Sequence, residues 1–191
     1  MPSLKEKPLN QLLAGLTQLD DSRKFLDASI SGISLHAGSV CSGNIFVAIP
    51  GNKFDGHDFI PEAVKNGAAA IISNGRDIGE LSIPQIRVAN PRRAASWVAS
   101  EFFDHPSREL TIIGITGTNG KTSTATLVAS ILDAAGYKTA QMGTLGLIAE
   151  GNYPQEKILT TLDQVALHKS LFDLKKDGFT HVVMEVSSHA L

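Results

Sequence analysis

The chain has one cysteine, Cys41, among its 191 residues. A single thiol cannot close an internal disulfide, so a reducing setting, the cytoplasm, is expected. Cys41 has no evident activating partner and is read as inert. An excess of either charge is also lacking: 17 basic against 19 acidic side chains leave a formal net charge of -2. That balance speaks against nucleic acid as a partner, because such binders carry a basic stripe. Lys169, Lys175 and Lys176 read as the solvated face of a helix. No apolar run approaches the roughly 20 residues of a membrane helix, so no membrane partner is expected. Lys5 and Lys7 are not followed by the apolar stretch of a targeting peptide. The six histidines (His36, His57, His105, His168, His181 and His189) show no zinc-ligand spacing and read as surface or packing residues. Nothing in the sequence points to a protein partner. What is present is an ordinary core composition, 42% hydrophobic with 19% charged, in a length that suits one large or two small domains.

Leu9, Leu12, Leu13 and Leu16 have helical spacing, which predicts a short amphipathic helix over 9–19. Residues 20–42 read as irregular or short-stranded. Ile45 to Ile49 is a compact apolar run closed by Pro50-Gly51, a buried strand and turn. Asp58 is the expected cap of a helix over 59–66, stopped by Gly67. Short strands are expected at 69–72 and 86–88. Asn90-Pro91 combines a capping side chain with proline at the first helical position, so a helix should start there and run to about Phe103, with Trp97 in its core. Asp104-His105-Pro106-Ser107 breaks it, which divides the chain into 1–107 and 108–191.

The second part repeats strand and helix. Strands are expected at 111–116, 139–142 and 180–186, and helices at 121–135 and from about 164 to Gly178, the latter opened by a capping box at Thr161-Leu162-Asp163-Gln164. This alternation implies an α/β fold with a parallel sheet, whose ligands bind beyond the carboxyl ends of the strands. Glu185 and the loop after the strand at 111–116 both lie at such ends.

That loop, Gly114-Ile115-Thr116-Gly117-Thr118-Asn119-Gly120-Lys121-Thr122, follows a strand and opens a helix. Glycines let backbone N–H groups converge on phosphate oxygens, and the helix N-terminus adds partial positive charge. Lys121 would reach the β- and γ-phosphates, and the Thr122 hydroxyl would ligate Mg²⁺. The usual phosphate loop has glycine where Ile115 stands. Here it falls one place earlier, at Gly114, and a plain glycine-rich turn is the competing reading.

The form Thr116 to Thr122 is similar to the loop of the Mur ligases and folylpolyglutamate synthetases. Met184-Glu185-Val186-Ser187-Ser188-His189-Ala190-Leu191 resembles the signature of Mur ligases that add the third residue to a UDP-MurNAc-dipeptide. Gly43 to Gly51, with Asp55-Gly56-His57-Asp58-Phe59-Ile60 after it, looks like their uridine-nucleotide domain, which folylpolyglutamate synthetases lack. The resemblance runs over nearly the whole chain from about Ser31. It implies a small mixed α/β uridine-nucleotide domain at 1–107, then the first part of a parallel-sheet P-loop ATPase domain at 108–191. It implies a ligase of peptidoglycan precursor synthesis. ATP phosphorylates the D-glutamate γ-carboxylate of UDP-MurNAc-L-Ala-D-Glu, and the amine of a diamino acid, meso-diaminopimelate in the commoner branch, attacks the acyl phosphate.

By the same resemblance Gly117, Thr118, Asn119, Gly120, Lys121, Thr122 and Ser123 would hold ATP, with Lys121 as the catalytic side chain. Thr122 and Glu185 would ligate Mg²⁺, an ion that favours oxygen donors. Thr160, Thr161 and Ser187 match positions that contact the muramoyl-peptide, and Leu35, Ala37, Asn52, Lys53 and Phe54 match contacts to its uridine diphosphate part. Two departures stand out. His36-Ala37-Gly38 replaces the family's Asp-Ser-Arg, and losing a hydroxyl that bonds a ligand costs about 1 kcal/mol. The residues that follow Glu185 in the family, a substrate arginine, a carbamylated lysine, a second Mg²⁺-binding histidine and the C-terminal amino-acid-binding domain, do not occur in the 191 residues, so the expectation is that this polypeptide alone does not form the amide. Two other readings stay open: a truncated remnant that at most binds nucleotide, and an unrelated P-loop kinase or ATPase.

Overall fold

The computed structural model describes residues 5–19, 27–51, 54–151 and 162–187. It divides the chain into two compact units, Met1–Phe102 and Phe103–Leu191, a few residues ahead of the limit read from the sequence. Both units have the expected α/β character.

The first unit opens with β1 (Lys7–Pro8) and α1 (Leu9–Leu12). Next come β2 (Ser29–Ile30), β3 (Gly32–Ser34), β4 (Asn44–Val47), α2 (Ile60–Lys65), β5 (Ala70–Ser73), β6 (Gln85–Arg87) and α3 (Pro91–Phe102). β1 and β2 form an antiparallel pair. The other four strands form a parallel sheet in chain order, β3-β4-β5-β6. A parallel sheet covered on both faces needs strands apolar in both directions, and Ile45, Phe46 and Val47 are all buried. Phe46, Ala48 and Ile71 pack with Val40, Ile60 and Ala63 on one side. Strand alternation turns Ile45, Val47 and Ile72 to the other, where α3 crosses the sheet.

The helix signals hold unevenly. Asn90 caps α3 as expected, its Oδ1 accepting from Arg93 N–H at 3.0 Å. At α2 the expected cap is corrected. Asp55, not Asp58, accepts from a helical N–H, that of His57 at 3.0 Å, and it opens a 3₁₀ turn over Gly56–Phe59 before α2 begins. α1 is shorter than its leucine spacing suggested, because Gly15 takes a left-handed φ of +78° beneath the indole of Trp97. The indole N–H donates to the Ala14 carbonyl at 3.1 Å. Bridging that gap leaves Trp97 38% exposed, at the edge of the core instead of inside it.

The second unit contains β7 (Thr111–Ile115), α4 (Lys121–Ala134), β8 (Thr139–Gly143), β9 (Gly146–Ile148), α5 (Gln164–Lys176) and β10 (His181–Glu185). The strand order is β7-β10-β8-β9. β10 runs parallel to both neighbours, while β9, which the sequence reading did not anticipate, turns back antiparallel on β8. α4 covers one face, with Ala125 and Ala129 against Val183, Ile113 and Ile115. α5 covers the other, with Leu171 and Leu174 in a cluster with Ala140, Met142 and Val182. The cap of α5 is Asp163, whose Oδ1 accepts from Ala166 N–H at 2.8 Å. The expected cap Thr161 lies outside the described residues, and the helix starts directly after Asp163. Among the described residues no helix is long and apolar enough to cross a membrane.

Candidate functional site

The site in the second unit follows from strand alternation. On β10, Val183 faces α4, so Glu185, two residues on, points to the same face. It is 1% exposed and lies beside the loop leaving β7, because Glu185 is in register with Ile115. Val186 N–H then donates to the Ile115 carbonyl at 2.8 Å. The loop turns through Gly117 at φ +147° and Gly120 at φ +78°, the latter being the N-cap of α4 with no side-chain cap bond. Left-handed φ favours glycine, and the first N–H groups of α4 lack a capping side chain and stand at the positive end of the helix. Residues 116 to 120 are exposed. Lys121 folds back over the loop, its ammonium donating to the Gly117 carbonyl at 2.8 Å and toward that of Thr118 at 3.5 Å.

A buried carboxylate must be hydrogen-bonded, and Glu185 is. The Thr122 hydroxyl donates to its Oε2 at 3.1 Å. So does the hydroxyl of Thr144, also at 3.1 Å, while Thr144 N–H reaches Oε1 at 3.3 Å. Gly143, the residue before, has no room for a side chain, since a Cβ there would overlap the carboxyl group and lie 2.6 Å from Glu185 Cγ. The arrangement suits Mg²⁺. Adjacent ligands of an octahedral ion bound at about 2.0–2.1 Å stand roughly 3 Å apart, close to the Thr122–Glu185 separation. No three His, Cys, Asp or Glu side chains converge on a metal position among the described residues.

Thr122, Lys121, the loop glycines and Glu185 are thus brought together. Asn119 is exposed within the loop and Ser123 exposed in the first turn of α4, while Ser187 is half-buried two residues past Glu185. Thr160 and Thr161 lie outside the described residues, as do Asn52 and Lys53. In the first unit Phe54 is 73% exposed and Leu35 half-buried, but the Ala37 methyl is buried in the core. The Ala37 carbonyl accepts from Asn66 Nδ2 at 3.0 Å.

Sequence reasoning missed two features. Gly143-Thr144 carried a usable signal, a small pair at the carboxyl end of a parallel strand. The second is a clasp on His57, which is buried. Its Nδ1 lies 2.6 Å from Asp55 Oδ1, and its Nε2 accepts from Asn74 N–H at 3.3 Å, which places the ring proton on Nδ1. Arg76 donates to the other Asp55 oxygen at 2.9 Å. The backbone and ring N–H groups of His57 hold the Asp55 carboxyl below its ordinary range, with the Arg76 guanidinium adding to the effect and burial opposing it.

A model of the Mur ligase middle domain matches residues 115–191, and one of the Mur ligase family catalytic domain matches 29–103. The UDP-N-acetylmuramoyl-L-alanyl-D-glutamate--2,6-diaminopimelate ligase of Pseudomonas putida is 41% identical over 187 residues, covering 96% of this chain and 36% of the relative. The ligase of the same name from Aquifex aeolicus is 43% identical over 171 residues, with 87% and 34% covered. A solved structure of a ligase of that name superposes with a TM-score of 0.76 at 28% identity, covering 96% of this chain and 36% of that one. MurF from Acinetobacter baumannii superposes at 0.65 and 25%, with 97% and 37% covered. The chain therefore spans about a third of the length of the curated relatives it matches.

Proposed function

The chain belongs to the Mur ligase family, and on that premise we propose that it supplies the nucleotide-binding and UDP-substrate-binding parts of a ligase that adds a diamino acid to UDP-MurNAc-L-Ala-D-Glu. The observation that carries this reading is the convergence of Lys121, Thr122 and Glu185 around the loop from β7 to α4. In it, the loop N–H groups and Lys121 hold the ATP phosphates, and the residues at 1–107 hold the uridine nucleotide through the segment that includes Leu35 and Phe54. Thr122 and Glu185 hold Mg²⁺, which neutralises charge on the phosphates when bound. The chemistry transfers the γ-phosphoryl group to the D-glutamate γ-carboxylate. The amine of the diamino acid, 2,6-diaminopimelate in the relatives' names, then displaces phosphate to leave the amide. Both steps depend on position and charge neutralisation more than on covalent help from the protein.

Ser123, Thr118 and Asn119 complete the phosphate cradle, and Ser187 stands where the muramoyl-peptide approaches the strand end. Calorimetric titration of the chain with Mg-ATP, and separately with UDP-MurNAc-dipeptide, tests the reading. Saturable binding of both is expected. Binding of neither, by a chain whose circular dichroism shows it folded, overturns it in favour of a remnant that has kept the motifs alone.

A further inference from the structure

We propose that Thr144 is a positioning residue for the cation-binding carboxylate, a clamp that fixes Glu185 independently of the phosphate loop. The inference rests on the reading that Thr122 and Glu185 take Mg²⁺. An ionised carboxylate offers about four lone-pair positions, and groups among the described residues occupy three of them. Thr122 and Thr144 each donate a hydroxyl to Oε2, and the Thr144 backbone N–H takes one position on Oε1.

The two threonines hold Glu185 differently. Thr122 touches one oxygen and belongs to the first turn of α4, so its hydroxyl is the group whose oxygen a cation would share. Thr144 touches both oxygens, which sets the plane of the carboxylate as well as its distance. Its own position comes from elsewhere. It sits in the tight turn between β8 and β9, whose ends are paired through Gly143 and Gly146. β8 in turn lies directly beside β10. Gly143 keeps the space that the Glu185 side chain fills. When a cation draws on the Thr122 oxygen, both Thr144 bonds remain, and the carboxylate stays aimed. Outer partners of this kind typically govern metal affinity by ten- to a hundredfold. Thr144 itself is exposed, so its hydroxyl can be removed without opening the core.

The test uses the full chain. Mn²⁺ binding in the presence of ADP is followed by electron paramagnetic resonance, and ATP affinity in EDTA by calorimetry, for the parent, Thr144→Val, Thr144→Ser and Glu185→Gln. Thr144→Val keeps the shape and loses the hydroxyl, and it is expected to weaken Mn²⁺ roughly tenfold with ATP affinity in EDTA unchanged. Thr144→Ser, which keeps the hydroxyl, is expected to bind Mn²⁺ within about twofold of the parent. Parent-like Mn²⁺ binding by Thr144→Val, alongside a large loss in Glu185→Gln, overturns the clamp and leaves the cation reading standing. An equal loss of ATP affinity in EDTA by Thr144→Val also overturns the clamp, since it marks a general structural role. Parent-like Mn²⁺ binding by Glu185→Gln overturns both.

Discussion

Gly143 and Glu185 lie side by side at the ends of neighbouring parallel strands, so close that a Cβ on Gly143 would overlap the Glu185 carboxyl group. Gly143→Ala therefore forces Glu185 out of the position in which Thr122 and Thr144 hold it. Overpacking of this kind costs about 1–3 kcal/mol. Urea denaturation is expected to show a loss in that range, and nucleotide titration to show that Mg²⁺ no longer strengthens ATP binding. A variant with parent stability and an intact Mg²⁺ effect would mean that the glycine is not needed there.

Among the described residues Lys121 donates only to carbonyls of its own loop, in an exposed setting, so it contributes little to the fold. The role proposed for it is charge-assisted bonding to phosphate, worth roughly 1.5–3 kcal/mol. Lys121→Met is expected to bind ATP about ten- to a hundredfold more weakly with an unchanged melting temperature. Unaltered affinity in calorimetry would remove this lysine from the nucleotide site.

The His57 clasp predicts a stability effect in the first unit. His57→Leu leaves the Asn74 N–H without its ring acceptor and Asp55 without its ring donor, at an expected cost of about 1–3 kcal/mol by urea denaturation at neutral pH. His57→Gln, whose carbonyl stands in for Nε2, should recover part of it. Asp55 adds a pH dependence. Its folded pKa is depressed below 3.8, so its contribution is fully present above that value and disappears as pH falls through the folded pKa. The gap between parent and His57→Leu should narrow below pH 3.8. A constant gap down to strong acid would dissociate Asp55 from the clasp.

His168 gives the second unit its own pH response. Burial holds this imidazole below its ordinary 6.5, and the charge of His105 adds to the effect. The unfolded chain therefore takes up the proton first, and stability falls as pH drops below 6.5 until the folded pKa is reached. The slope is at most about 1.4 kcal/mol per pH unit for one proton. Denaturation between pH 7 and 5 should show this decline in the parent and a flatter profile in His168→Leu. Equal slopes would place the sensitivity elsewhere.

The local features of this protein were legible in its sequence. The strand–glycine loop–helix order around Lys121, the start of α3 at Asn90-Pro91 and the apolar centre of β10 all appear where short-range rules place them, because hydrophobic period and capping act within a few residues. Caps with competing candidates were less legible. Asp55 prevails over Asp58, and Asp163 opens α5, because the side chain that meets a free N–H depends on the exact turn the backbone takes.

Strand order lay beyond the sequence. Nothing in the spacing of 181–185 says that β10 enters between β7 and β8, since pairing partners are chosen by contacts remote in the chain. Yet that insertion puts Glu185 beside both the phosphate loop and Gly143-Thr144. The sequence by itself determined which groups are candidates for phosphate and a cation; the tertiary structure alone decided that Thr144 joins Thr122 in holding the carboxylate, because only the packed sheet brings residues 122, 144 and 185 within hydrogen-bond reach.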